Sequence, residues 1–356
     1  MELNNEFVPE EKKKGVAKIL VVGDLHFAAR SIMILDVVKK EVLEQIKKKD
    51  PDLVVFLGDT LDRFGSLDST RNEEAYDFFY EVTLTHRILL LIGNHDIPNK
   101  TYFMCGSHGF VGMRYYWENT TVVDKKCVEL EINGHIFQAV PYCPNGMLDK
   151  GLNTLPDRSK KPSAIFCHQE IMGCNLRPRI VSKEGDIWPK DAPLLICGHI
   201  HKYHHPQENV WYTGSPYQDN FGEDYADKSI SYIIFDGDTV TEERIKLQVP
   251  IKRQLLMAAK KYSEWEPEEG NIYRIEVTGS SKENSKLRLI NKTIKIKDDG
   301  GKVSFKNVDT FDRSRFSNNF YNEKKRVLKE VIIESIKDKT HLQPIFKQVF
   351  DEVYDP

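Results

Sequence analysis

At 356 residues, with 40% hydrophobic and 29% charged side chains and a formal net charge of −3, the chain has the make-up of an ordinary globular protein larger than one average domain. It holds no apolar run near the roughly 20 residues of a membrane span, Met1–Lys14 is charged rather than oily, and Cys105, Cys127, Cys143, Cys167, Cys174 and Cys197 show no Cys-x-x-Cys spacing, so no anchor, secretion signal, disulfide framework or zinc knuckle is expected and the thiols should be reduced and mostly buried. The charge is unevenly spread: from Ile251 onward there are 22 basic against 17 acidic residues, leaving 29 against 37 before it, so the front suits a cation site and the back a polyanion.

Residues 17–22 (Ala-Lys-Ile-Leu-Val-Val) read as a first strand, ending in Gly23-Asp24-Leu25-His26. Residues 32–48 carry Leu35, Val38, Val42 and Ile46 at helical spacing with lysines on the other face, and Asp50-Pro51 ends that helix. Residues 53–57 are oily on both faces, the mark of a fully buried strand, and run into Gly58-Asp59-Thr60-Leu61-Asp62. A helix over about 73–85 and a third buried strand over 88–92, ending in Gly93-Asn94-His95-Asp96, complete a strand–helix alternation that predicts a parallel core with right-handed crossovers. After a mixed loop region, residues 127–132 and 135–140 flank Asn133-Gly134, a strong hairpin signal. Buried strands follow over 163–167, before His168, and 194–197, before Gly198-His199-Ile200-His201, then 210–213 and a pair over 230–235 and 239–247; these later strands read as antiparallel and hairpin-linked, so the sheets are mixed. The pattern breaks over 249–265, strands are expected over 272–277 and 302–308, the type of 286–296 stays open, and the last residues carry helical stripes (Leu328, Val331, Ile332, Ile336; Leu342, Ile345, Phe346, Val349, Phe350).

The strand ends together carry Asp24, His26, Asp59, Asn94, His95, His168, His199 and His201. Open α/β sheets bind ligands beyond the carboxyl ends of their strands, so these groups stand where a site is expected. Carboxylates and imidazoles together favour ions of intermediate hardness such as Mn, Fe or Zn over Mg or Ca. So many donors exceed the needs of one ion with an open position; two ions about 3.5–4 Å apart need a carboxylate that binds both, and such a pair serves in-line phosphoryl displacement. Taken singly, each residue could equally be a cap, a turn residue or a satisfied core histidine.

Asp24-Leu25-His26, Gly58–Asp62, Gly93–Asp96, His168 and Gly198–His201 resemble, in order, the five signature blocks of calcineurin-like metallophosphoesterases, over about the first 215 residues. The resemblance implies a mixed α/β fold: a two-sheet metallophosphoesterase sandwich flanked by helices (1–250), a small α/β capping domain (251–320) and C-terminal helices (321–356). It further implies one ion on Asp24, His26, Asp59 and His201 and a second on Asp59, Asn94, His168 and His199, with Asp59 shared. His95 would steady transition-state charge or protonate the leaving oxygen, which an imidazole can do near neutral pH. Asp96 would orient His95 through its other ring nitrogen, or else cap the following turn.

The segment Trp211–Glu223, with Tyr212-Thr213-Gly214-Ser215 and Gly222-Glu223, is similar to the matching stretch of SbcD-like nucleases, which process DNA double-strand breaks; their tailed-phage recombination endonuclease subunits are nearest in size. That likeness implies a two-metal DNA nuclease (exonuclease, perhaps also endonuclease), manganese as the first choice of ion with Mg²⁺, Fe²⁺ or Zn²⁺ as others, a homodimer, and terminal helices that dock on an SbcC-like coiled-coil ATPase. The chain would work in the cytoplasm, the host's if it is viral. Arg313, Arg315, Lys324, Lys325 and Arg326 are candidate phosphate contacts, beside the reading of a solvated basic face. His204 and His205 read as part of a polar loop. Two rival readings stand beside the nuclease: a small-molecule phosphodiesterase or protein phosphatase of the same fold, and a non-catalytic scaffold that kept the fold.

Overall fold

The computed structural model describes residues 15–28, 32–64, 69–177 and 179–308, with residues 333, 342–344 and 346. Two compact units divide it: Met1–Leu255 with Glu266–Ile275 and Lys295–Val303, and Leu256–Trp265 with Glu276–Ile294 and Ser304–Pro356. In chain order the elements up to Ile245 are β1 (Val16–Val22), α1 (Ile32–Lys49), β2 (Leu53–Phe56), α2 (Ser69–Thr83), β3 (Ile88–Leu91), α3 (Met113–Tyr116), β4 (Thr120–Val123), β5 (Val128–Ile132), β6 (His135–Val140), α4 (Leu148–Leu152), β7 (Ala164–His168), β8 (Asn175–Arg177), β9 (Ile180–Val181), β10 (Leu194–Gly198), β11 (His204–Gln207), β12 (Val210–Tyr212), β13 (Ile230–Asp236) and β14 (Thr239–Ile245). They form two six-stranded mixed sheets, ordered β14-β13-β1-β2-β3-β4 and β11-β12-β10-β7-β6-β5. The fold is an α/β two-sheet sandwich.

Why β1, β2 and β3 are oily on both faces follows from the layers. Ile19, Val21, Leu53, Val55, Leu89 and Leu91 meet Phe137, Ala139, Ala164, Phe166 and Ile196 of the second sheet. Their neighbours in sequence, Leu20, Val22, Val54, Phe56, Ile88 and Leu90, point the other way, against Leu35, Val38, Val42 and Ile46 of α1 and Phe78, Phe79 and Val82 of α2. The outer face of the second sheet packs on Leu148 and Leu152 of α4 and on Trp188. Each such buried side chain contributes about 1.5–3 kcal/mol of transfer free energy, and the two packed faces fix the register of every strand. Lys47, Lys48 and Lys49 close α1, where positive charge complements the carboxyl end of the helix dipole.

β1, β2, β3 and β4 run parallel, with β13 antiparallel to β1. Asn133 and Gly134 take φ of 51° and 80°, the left-handed pair of a tight hairpin turn between β5 and β6. The second sheet departs from the antiparallel reading of the sequence. Only its outer pairs, β5–β6 and β11–β12, are antiparallel, while β6, β7, β10 and β12 run parallel. The crossover from β7 to β10 uses the short β8–β9 ribbon and irregular chain in place of a helix, so it leaves no helical periodicity in the sequence.

Beyond β14 come β15 (Lys252–Ala258), α5 (Ala259–Glu264), β16 (Ile272–Gly279), α6 (Ser281–Leu287), α7 (Asn291–Asp298) and β17 (Lys302–Asn307), with the strands in the order β15-β16-β17. Residues 286–296, open between helix and strand from sequence, hold the end of α6, a turn and most of α7. Within the second unit, Ser280 and Glu283 form a capping box that starts α6, and Asn284 donates to the carbonyls of Gly279 and Lys306. Tyr262 packs edge-on to Phe305 and shares a hydrogen bond of 2.7 Å with Thr293. Arg313, Arg315, Lys324, Lys325 and Arg326 lie outside the described residues, as do the expected helices of 321–356 apart from the few positions given above. Among the described residues no helix is long and apolar enough to cross a membrane.

Candidate metal centre

The carboxyl ends of β1, β2, β3, β7 and β10 meet at one edge of the sandwich. Backbone bonds tie the loops together there: His26 N–H donates to Asp59 O, Phe27 N–H to Thr60 O, and Tyr142 N–H to Ile92 O. His26, Asp59 and His199 sit in the left-handed region at φ of 46°, 47° and 77°. That conformation costs a residue with a Cβ roughly 1–3 kcal/mol, a cost the packed sheets offset while holding the three side chains inward. Gly93 lets two strand ends approach, since a Cβ there would lie 2.3 Å from both the amide nitrogen and Oδ1 of Asp59.

Two groups of donors face each other. Asp24, His26 and His201 form the first, and Asp59, His168 and His199 the second, with the donor atoms of each group within 4.8 Å of one another. Asn94 joins the second group, its Oδ1 lying 3.0 Å from His168 Nε2 and 2.7 Å from His199 Nδ1. Between the groups stands Asp59, whose Oδ2 is 3.3 Å from His168 Nε2 and 3.9 Å from His26 Nε2.

Outer contacts decide which atoms are presented. His168 Nδ1 donates to the Leu57 carbonyl at 2.8 Å, so its Nε2 lone pair faces the cluster. His201 Nδ1 donates to Glu223 Oε1 at 2.8 Å, again freeing Nε2, which lies 2.9 Å from His26 Nε2. Asp24 accepts from His199 N–H at 2.9 Å with Oδ1, leaving Oδ2 buried without a hydrogen-bond partner. A cluster of acceptors and lone pairs this dense is repulsive unless positive charge enters it. Two divalent cations fit that need, and the oxygen–nitrogen donor set suits ions of intermediate hardness.

The electrostatics of the metal-free chain say the same. Burial alone would raise the Asp59 carboxyl, yet the adjoining His168, with His26 and His95, holds it well below the usual carboxylate range. Burial would lower His168, but Asp59 and Asp24 push it up to about 9, so a proton there stands in for a cation. Burial, joined by His168, brings His199 down to about 4, and burial, joined by His201, lowers His26. Metal at the second group must displace the His168 proton, so affinity falls with pH below about 9. Isothermal titration calorimetry at pH 7 and 8 should show binding about ten-fold tighter at pH 8, the one-proton slope.

Asp96 corrects the sequence expectation. Its carboxylate accepts from the backbone N–H groups of Gly93 at 2.9 Å, Leu61 at 2.9 Å and Thr60 at 3.3 Å, binding two ligand loops together. His95 is oriented instead by the Asp62 carbonyl, to which its Nδ1 donates at 2.6 Å. Successive residues of the turn point to opposite sides, so Asp96 goes inward and is fully buried while the His95 ring stays 43% exposed, with Nε2 3.9 Å from Asp59 Oδ2. Burial beside Asp59 raises Asp96 to about 7 against the pull of those backbone donors.

Sequence reasoning gave no role to Glu223, noticed only as part of Gly222-Glu223. It accepts from His201 and, through Oε2, from Asp219 N–H and the buried Lys228 ammonium. Lys228 in turn donates to the His201 carbonyl and Ser215 Oγ. Burial would raise the Glu223 carboxyl, but His201 and Lys228 take it down to about 2. A carboxylate held low favours the fold above its unfolded value, near 4.3, and that contribution is lost as pH falls toward about 2. Glu223→Gln should weaken metal at the first group by roughly 10- to 100-fold, as loss of a carboxylate behind a ligand histidine does, read as the competition constant against a chromogenic chelator.

His204 and His205 are not in a loop. They begin β11 and stack on opposite sides, His204 on Tyr212 and His205 on Trp211, each with centroids 4.9 Å apart. All six cysteines are free thiols, five of them buried, and Cys167 Sγ lies 3.2 Å from Cys197 Sγ on neighbouring strands, one residue before His168 and two before His199.

Residues 17–242 match the family described as calcineurin-like phosphoesterase. The chain is 28% identical over 339 residues to "Putative phosphoesterase 078R" of Invertebrate iridescent virus 3, covering 91% of this chain and 96% of that protein. It is 35% identical over 226 residues to "Putative phosphoesterase 244L" of Invertebrate iridescent virus 6, covering 63% of this chain and 78% of that one.

Proposed function

Since the chain belongs to the calcineurin-like phosphoesterases, a family of metal-dependent hydrolases of phosphate esters, we propose that its ester is the DNA backbone, cut in end processing, recombination and repair. The observation that carries a two-ion phosphoesterase site is the pair of facing donor groups with Asp59 between them. The step to DNA is supported by the likeness of Trp211–Glu223 to SbcD-like nucleases and by the excess of basic residues after Ile251. Manganese as the ion, a homodimer and a coiled-coil ATPase partner belong to the same reading.

Two divalent ions, when bound, supply the positive charge against which the attacking and leaving oxygens of an in-line displacement develop. Asp24, His26 and His201 would hold one and Asn94, His168 and His199 the other, with Asp59 common to both. The chain does the rest. Leu57 and Glu223 fix the imidazole orientations, Asp96 locks the loops that carry Asp59 and Asn94, and His95 presents Nε2 at the rim, placed to donate a proton to a phosphate oxygen or the departing oxygen.

The test is incubation of the purified chain and Mn²⁺ with end-labelled linear duplex, bis-p-nitrophenyl phosphate and a phosphopeptide in parallel. Shortening of the duplex supports the nuclease; turnover of the small diester or the phosphopeptide with the duplex intact overturns it. Co-expression with the neighbouring open reading frame tests the partner.

A further inference from the structure

A cavity of about 680 Å³ adjoins the metal centre, sharing His199 and His201 with it as lining residues. Its volume lies within the 300–1,000 Å³ usual for small-molecule sites and exceeds what a phosphate alone fills. Its lining includes Leu176 and Arg177 of β8, Lys202, Asp224 and Asp227. Arg177, Lys202 and Leu176 are exposed side chains, and among the described residues neither cation has an ion-pair partner.

The β8 part of the lining is held in place. Asn175 N–H donates to His204 Nε2 at 2.9 Å, and the His204 ring lies flat on Tyr212. The Tyr212 hydroxyl donates to the Gln169 carbonyl at 2.8 Å and accepts from Ile171 N–H at 2.9 Å. Gln169 Nε2 reaches Asp186 Oδ2 at 2.7 Å, which secures the return of the ribbon toward β10. The ribbon between β7 and β10 is therefore braced from the end of β7, which carries His168, and from β11 and β12.

We infer that this cavity is a nucleoside subsite: it takes one arm of the phosphodiester held at the metal centre, with Arg177 and Lys202 on the next phosphate, Leu176 against the sugar or base face, and Asp224 and Asp227 on base N–H groups. The assignment rests on the phosphodiester reading given above, and it explains a mixed lining that neither a bare phosphate nor an apolar ligand would use. Charge-assisted contacts from a guanidinium to phosphate are the stronger class of hydrogen bond. A nucleotide has anionic, apolar and hydrogen-bond-donating parts, and the lining offers cationic, apolar and anionic side chains to meet them.

The experiment compares Arg177→Ala/Lys202→Ala with the unaltered chain, both loaded with Mn²⁺, on bis-p-nitrophenyl phosphate and on thymidine 3′,5′-bisphosphate esterified with p-nitrophenol at its 5′-phosphate, whose 3′-phosphate stands for the next phosphate of the strand. The unaltered chain should prefer the nucleoside ester, and the double variant should lose about ten-fold of that preference, expressed as the ratio of the two kcat/KM values and carried in KM, as for a lost charge-assisted contact. Binding of thymidine 3′,5′-bisphosphate to the chelator-treated chain, followed by calorimetry, should weaken in parallel. Equal losses on both esters, no preference in the unaltered chain, or unchanged nucleotide binding in the variant would each overturn the subsite. The two readings fail separately: a duplex cut by the unaltered chain and by the variant alike removes the subsite and keeps the nuclease. Nucleoside-ester preference lost in the variant, with duplex left whole by both, keeps the subsite and removes the nuclease.

Discussion

Asp59→Ala is expected to lower phosphodiester hydrolysis by about 10³-fold or more and to reduce bound metal from two ions per chain to one. Bridging charge supplies several kcal/mol of transition-state stabilisation, and each 1.36 kcal/mol is ten-fold in rate. Asp59 places its Oδ2 3.3 Å from His168 Nε2 and 3.9 Å from His26 Nε2, within reach of an inward-facing nitrogen of each donor group. Its Oδ1 also accepts the His95 N–H at 2.8 Å, so alanine removes a loop contact as well as a charge. Asp59→Asn separates these effects by keeping an acceptor oxygen. It should fold with an unchanged circular dichroism spectrum, yet lose the second ion by elemental analysis and nearly as much activity. Two ions retained by the asparagine variant at full rate would refute the sharing of Asp59.

The parts legible in the sequence are those where local pattern and global packing coincide. β2 had to be oily on both faces because it lies between a helical layer and a second sheet, and the first polar residues after it therefore mark a strand end. That reasoning reached Asp24, Asp59, Asn94, His168, His199 and His201 without knowledge of how the sheets pack. It could not give the strand directions of the second sheet. Residues 169–193 connect β7 to β10 by a ribbon and turns, and chain without a period says nothing about whether it crosses over or folds back. β4 was lost in loop for a related reason, since Thr120–Val123 is half polar and only its last two residues are buried. Adjacency in sequence misled at Asp96, which looked like a servant of His95 but turns inward to three backbone N–H groups. Glu223 escaped because it lies 22 positions beyond His201, past β11 and β12, and only the folded chain shows the bond.

His95→Ser is expected to leave both ions bound and to cut kcat by about 10²- to 10⁴-fold, the range for a lost proton donor or acceptor in the transition state. The expectation rests on the place of the ring, 43% exposed at the rim of the cluster. Its Nδ1 is engaged by the Asp62 carbonyl, its Nε2 stands 3.9 Å from Asp59 Oδ2, and its edge meets His26 with centroids 5.0 Å apart at the open side of the cluster. Asp59 Oδ1 takes the His95 backbone N–H, which serine also supplies, so the Asp59 loop keeps its tie. An effect confined to kcat, with KM and metal stoichiometry near those of the unaltered chain, follows from an interaction made only as charge develops on the departing oxygen. If the proton goes to that oxygen, the deficit should shrink as the leaving group becomes more acidic, and a p-nitrophenolate ester should suffer less than a DNA strand whose leaving group is an alkoxide. Equal losses on both esters would place His95 on the non-bridging oxygens instead, and loss of an ion would make it a ligand.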